Sequence, residues 1–189
     1  MDLLQRNRTR AEFERFVASH LHALLQTGYL IASNSTEAED LVQECLLRVA
    51  RRWPKVRSMD RPDAYARRIL VNLALDSAKR RARCWQELAA LSDGEPAEIQ
   101  VDRDDEAITA RAEASELLDA LRVLPIRQRV VLVLRYFGDF SEAQVAEMLG
   151  CPVGTIKSTT ARGLARMREV LEAQGEGRGQ TETLGTNRE

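Results

Sequence analysis

The sequence predicts an all-α protein made of two small helical domains joined by a flexible acidic linker, and three observations carry that prediction. Ala, Leu, Arg and Glu dominate the composition, and all four are strong helix formers. Only 5 prolines and 10 glycines occur in 189 residues, too few turn residues for a many-stranded β fold. Apolar residues recur at three- and four-residue spacing in two blocks, separated by an acid-rich run without that period.

Taken in order, the first periodic segment is EFERFVASHLHALLQTGYLI, with Phe13, Phe16, Val17, Leu21, Leu24 and Leu25 at helical spacing. Asn34 to Thr36 interrupt it, and Thr36 followed by Glu39 offers a capping box for a second helix. That helix reads AEDLVQECLLRVARRW, with Val42, Cys45, Leu46, Val49 and Trp53 as its inward stripe. Trp53-Pro54 ends it, because the residue before a proline avoids the α region. A short loop runs from Lys55 to Arg61. Pro62 then suits the first position of a third helix, which buries Tyr65, Ile69, Leu70, Leu73 and Ala74. Its last turn is basic, which complements the helix dipole.

Past Trp85, LSDGEPAEIQVDRDDEA combines Gly, Pro and acids and reads as a linker. A second helical block begins near Ala110 with ARAEASELLDALRVL, breaks at Pro125, continues as IRQRVVLVLRYF and ends in two shorter helices. From Gly175 the chain should be disordered. The expected organisation is a first domain over 11–85, a linker over 86–112, a second domain over 113–174 and a tail over 175–189.

The net charge of −1 says nothing about partners, but its distribution does. Between Tyr65 and Arg83 six basic residues face one acidic one, a local net of +5. Between Gln86 and Asp119 eleven acids face two bases, a local net of −9. Cys45, Cys84 and Cys151 are odd in number and lack metal-type spacing, so they read as reduced structural thiols of a cytosolic protein. No stretch approaches the roughly 18 apolar residues of a membrane span, and the N-terminus has no secretion signal. The expected protein is cytoplasmic and contacts no membrane.

The sharpest local signal is SEAQVAEMLGCPVGTIKSTTARGLARMREVL. Ser141 and Gln144 form a capping box, Val145, Met148 and Leu149 face inward, and Ala146 is small where two helices cross. Gly150 supplies the turn and Pro152 starts a second helix, with Val153, Ile156, Thr160, Leu164 and Met167 inward. Its outward side carries Thr155, Lys157, Ser158, Ala161, Arg162 and Arg166. That is a helix-turn-helix layout, in which the second helix presents polar and basic groups to the major groove. The same spacing also describes an αα-hairpin with a solvated basic face, the less favoured of the two readings. Arg135, just before the first of these helices, reads either as a phosphate contact or as a surface arginine.

Enzymatic chemistry finds no support. His20 and His22 fall on different helix faces without a third ligand, and neither a glycine-rich phosphate loop nor a nucleophile signature appears. No cofactor and no metal are expected.

In order, AEDLVQECLLRVARRW, PDAYARRILVNLALDSAKRRAR, the acidic linker and LRVLPIRQRVVLVLRYFGDFSEAQVAEMLGCPVGTIKSTTARGLARMRE resemble the sigma-70 family. The likeness is to its compact extracytoplasmic-function (ECF) group, which keeps regions 2 and 4, and within it to an actinobacterial sigma-E-like subgroup. It spans roughly residues 11 to 172. The resemblance implies a promoter-specificity subunit that binds core RNA polymerase and directs initiation at −35/−10 promoters. The alternative is a stand-alone helix-turn-helix transcriptional regulator. By likeness, Asp40, Gln43, Glu44 and Leu47 dock on the clamp coiled coil of the polymerase β′ subunit, with further contact to β. Val56, Arg57, Ser58 and Met59 form a pocket loop for the melted −10 strand, with Asn72, Ser77, Arg80 and Arg81 beside it. Lys157, Ser158, Ala161 and Arg162 read the −35 duplex, Thr155 and Arg166 lie on the same DNA side, and Arg135 braces them. Thr159 and Thr160 depart from the family pattern, which usually carries bulkier or charged residues there. The linker would thread the polymerase active-site channel. Promoter DNA and core polymerase are the implied partners, and the likeness admits an anti-sigma factor as a third.

Overall fold

In the computed structural model the described residues are 3–91 and 112–183, with side chains over 7–84, at 86 and over 116–174. The chain forms two compact units, Met1–Asp105 and Glu106–Glu189. Every regular element among the described residues is helical. Of the segment expected as linker, residues 92–111 lie outside the described residues.

The first unit contains α1 (Leu3–Ala32), α2 (Ser35–Arg51), α3 (Trp53–Val56) and α4 (Pro62–Leu91). α1 stops where Ser33 turns left-handed at φ 62°, its N–H donating to Tyr29 O at 2.7 Å. Asn34 then caps α2, its side chain accepting from the Glu37 N–H at 2.9 Å. The expected capping box at Thr36 is therefore wrong. Asn34 already has the extended backbone that a cap requires, and Thr36 is exposed within the first turn of α2. Pro54 also acts differently from expectation. Instead of opening a loop it sits in the first turn of α3, where a missing N–H costs nothing.

α2 packs against both α1 and α4. Two-sided burial widens its inner stripe, so Ala38 and Leu41 join Val42, Cys45 and Val49 in the core, while Leu46 stays half-buried. On α4 the buried residues are Ala66, Leu70, Val71, Leu73 and Ala74, with Tyr65 and Ile69 only half-buried. Phe16, Leu24 and Ile31 close the core from α1, whereas Leu21 faces outward. Trp53 packs its ring onto Phe13 and Phe16 at centroid distances of 5.3 and 5.1 Å, which anchors α3 to α1. α4 runs to Leu91, six residues into the segment expected as linker.

The second unit contains α5 (Ala112–Val123), α6 (Ile126–Leu132), a π-helical turn (Val133–Phe137), α7 (Glu142–Leu149) and α8 (Val153–Thr183). Pro125 separates α5 from α6, and Arg129 stitches them by donating to the carbonyls of Arg122 and Leu124. Leu121, Leu124, Val130 to Leu134, Phe140, Val145 and Ile156 fill the core. α8 is not short, and it carries helix through Thr183 where disorder was expected from Gly175. Once a helix is nucleated, each added residue fixes only its own dihedrals for one hydrogen bond, so a packed helix extends past its packed part.

Among the described residues no helix is long and apolar enough to cross a membrane, and no His, Cys, Asp and Glu cluster could hold a metal ion.

Candidate nucleic-acid interface

In the second unit, Ser141 and Gln144 close the expected capping box at the start of α7. The Gln144 N–H donates to Ser141 Oγ at 3.2 Å, and the Ser141 N–H donates to Gln144 Oε1 at 2.8 Å. Gly150 ends α7 in the left-handed region at φ 64°. An L side chain there would be strained, so the sharp turn into α8 rests on glycine. The Cys151 N–H then returns to Ala146 O at 3.0 Å. This corner sets α8 across α7 with one face inward.

That inner face matches the expected one at Ile156 and Thr160 but not elsewhere. Ile156, Thr159, Thr160 and Gly163 are buried, with Gly163 seated against Leu132, whereas Val153 and Leu164 are exposed. The buried stripe is turned toward Thr159 and Gly163, because these small residues let α8 approach α6 closely. Thr159 and Thr160 therefore belong to helix packing, and their departure from the family pattern does not sit on the outward surface. Thr155, Lys157, Ser158, Ala161, Arg162 and Arg166 are all exposed, as expected. Locally, Arg162 Nε donates to Ser158 O at 3.3 Å, and Lys157 Nζ lies 3.9 Å from a Glu142 carboxylate oxygen.

Arg135 occupies the π-helical turn, where the Gly138 N–H bonds to Val133 O five residues back. It is half-buried, and Nη1 donates to Phe140 O at 2.6 Å. The side chain thus braces the corner leading into α7 from within.

In the first unit the loop after α3 and the outward side of α4 form a basic surface. Asn72, Lys79, Arg80 and Arg83 are exposed at spacings that put them along one side of α4. Arg57 is exposed but anchored, its Nη1 donating to Glu12 Oε2 at 2.6 Å. This bond holds the Glu12 carboxyl below its ordinary range, outweighing the opposing push of desolvation, and the charge of Arg57 adds to it. Asp63 is likewise held low: burial pushes it up, and the Arg61 side chain and the Ala64 N–H outweigh that push. Ser58 donates to Lys55 O at 2.8 Å, and Met59 is half-buried. Val56 lines a hollow, as expected, but from its floor rather than from a loop. It is the last residue of α3 and fully buried, because the single turn started by Trp53-Pro54 rolls it into the core. The open hollow above it, about 560 Å³, is lined by Arg51, Arg52, Pro54, Lys55, Val56, Met59 and Tyr65. Of these, Val56 and Met59 were expected at the site. The overlooked signal is the run of cations around Trp53-Pro54, namely Arg51, Arg52 and Lys55. Ser77 and Arg81 reach sideways to α2, where both donate to Glu37.

The outward side of α2 carries Asp40, Gln43 and Leu47, with Leu47 49% exposed. Glu44 is half-buried and accepts from Arg48 Nε at 2.7 Å. His20 stacks on Phe16 and bonds to its carbonyl, a packing role. Cys45 is buried and its Sγ donates to Ala66 O at 3.2 Å. Burial pushes its thiol up to about 12. Cys84 is exposed, contrary to the expectation of a buried structural thiol, because it lies on the solvent side of α4 beyond the packed turns.

Residues 16–84 match the family model for sigma-70 region 2, and residues 114–167 match that for sigma-70 region 4. The RNA polymerase sigma-E factor of Streptomyces coelicolor is 33% identical over 163 residues, covering 86% of this chain and 88% of that protein. The ECF RNA polymerase sigma factor SigM of Mycobacterium tuberculosis is 32% identical over 162 residues, covering 86% and 78%. Among solved structures, the sigma factor RpoE of Bartonella quintana, determined with the anti-sigma factor NepR, superposes with a TM-score of 0.64. It is 26% identical, covering 85% of this chain and 97% of that one.

Proposed function

This chain belongs to the ECF group of the sigma-70 family, and from that premise we propose how its surfaces divide the work of a promoter-specificity subunit of RNA polymerase. The exposed acid-and-leucine side of α2 carries the reading, because a stand-alone regulator has no use for it. Asp40, Gln43 and Glu44 offer acceptors and Leu47 one apolar contact. Together they suit the clamp coiled coil of the β′ subunit, with β contacted elsewhere. An anti-sigma factor that covered this side would silence the protein. The chain acts in the cytoplasm and catalyses nothing itself, since bond making belongs to the polymerase.

The basic surface of α4 and the loop after α3 receive the −10 strand once it is melted. Asn72, Arg80 and Arg81 face its backbone, with Arg57, Ser58 and Met59 at the loop. The hollow beside Met59 and Tyr65 has the volume of a small-molecule pocket, enough for one unstacked base between an aromatic ring and guanidinium planes. Extruding a base costs a few kcal/mol, which contacts of this kind repay. In the second unit, α8 enters the −35 major groove with Thr155, Lys157, Ser158, Ala161, Arg162 and Arg166 outward. Each surface alone is small. Polymerase fixes the two units at one spacing, so weak contacts act together at an effective concentration on the order of millimolar.

The test is a gel shift of duplex DNA selected by the holoenzyme from a randomised pool. The expected result is a specific complex with core polymerase present and almost none with the chain alone. Specific binding by the chain alone would instead establish the regulator.

A further inference from the structure

Two of the residues assigned above to the −10 strand, Ser77 and Arg81, meet at a third residue that no DNA assignment includes. Ser77 Oγ donates to Glu37 Oε1 at 3.0 Å. Arg81 Nη1 donates to the same oxygen and lies 3.3 Å from Ser77 Oγ, so three side chains from two helices close one cluster. Glu37 is itself fixed. Its N–H is capped by Asn34, and it sits in the first turn of α2, where the helix dipole favours a carboxylate. Its side chain is 21% exposed and that of Arg81 49%, so the carboxylate lies inside and the guanidinium outside.

We infer that Glu37 is a positioning residue that, together with Ser77, holds Arg81 as a preset donor for the −10 strand without touching DNA itself. This rests on the reading that the basic surface of α4 takes that strand. A free arginine carries large rotamer entropy that a phosphate contact must overcome, and an arginine anchored through one nitrogen has lost much of it before binding. Its other N–H groups can point at a phosphate. The same carboxylate could in principle mask Arg81 and be displaced by DNA. Its placement argues against that, because displacement would strip a mostly buried carboxylate of both donors.

The experiment measures affinity of the holoenzyme for a fork-junction DNA, selected by the parent holoenzyme from a pool randomised over the −35 and −10 tracts, across a KCl series. Thermal melts of each variant check folding. Arg81→Ala should bind more weakly, with a salt slope shallower by about 1. Glu37→Ala should weaken binding roughly 2- to 10-fold with the slope unchanged, because the charge of Arg81 remains. Glu37→Gln, whose amide oxygen still accepts from both donors, should restore most of the affinity. The double variant Glu37→Ala/Arg81→Ala should be no weaker than Arg81→Ala alone. Tighter binding and a steeper slope in Glu37→Ala would overturn positioning in favour of a mask. A weakened Arg81→Ala beside an unchanged Glu37→Ala would overturn the inference alone. An unchanged Arg81→Ala would overturn it together with the assignment of Arg81 to DNA.

Discussion

Replacing Gly138 by alanine should loosen the corner that aims the helix-turn-helix, and the contacts around it set the size of the effect. A Cβ at this position would lie 2.8 Å from Leu134 O and 2.8 Å from Phe140 Cδ2. Real Cβ atoms do not come that close, so one neighbour must move. Leu134 O is backbone, and it accepts the Phe140 N–H at 3.1 Å. The Phe140 ring is 1% exposed and has nowhere to go. Moving Phe140 also strains the bond from Arg135 Nη1 to Phe140 O. Overpacking of this kind costs about 1–3 kcal/mol. The readout is amide hydrogen exchange of Val145 and Ala146 in the full chain, which should quicken about 5- to 150-fold, the equivalent of that cost. Gly154→Ala is the control, since its Cβ would meet nothing within 4 Å and alanine favours helix. Exchange in Gly138→Ala within twofold of the parent would refute the reasoning.

Three further outcomes follow from the same coordinates. Asn34→Ala should cost about 1 kcal/mol in a denaturant titration while Thr36→Ala costs less than about 0.5, and the reverse order would return the cap to Thr36. Cys45 holds its thiol neutral up to about 12, far above its unfolded value, so its contribution to stability is complete below the unfolded pKa and is lost as pH rises toward the folded one. In the native protein, exposed Cys84 should be alkylated while buried Cys45 stays unmodified. Modification of Cys45 before unfolding would contradict its burial. Arg162→Ala should weaken −35-dependent transcription by the equivalent of about 1–3 kcal/mol in a run-off assay, and normal transcript levels would remove it from the interface.

How far the sequence could be read depended on whether a feature is local. The Ser141–Gln144 box and the Gly150 turn are set within a few residues, and both were legible. Burial set by two neighbours at once was not. Leu41 and Ala38 fell outside a one-sided stripe because α2 is packed on two sides, and Thr159 faced inward because Gly163 lets α8 approach α6 closely. The burial of Val56 was missed for a related reason. Trp53-Pro54 looked like a stop, yet proline also starts turns, and the extra turn carried Val56 into the core. The Glu37 cluster joins residues 40 and 44 positions apart, and no spacing rule reaches that far.

The central claim is that the outward side of α2 docks the chain on core RNA polymerase. Its most direct measurement is binding of the purified chain to bacterial core polymerase, in competition with a housekeeping sigma factor, for the parent and for Asp40→Ala. The account predicts saturable binding that the housekeeping factor competes away and that Asp40→Ala weakens. Saturable binding left unchanged by Asp40→Ala, or no competition, would contradict it.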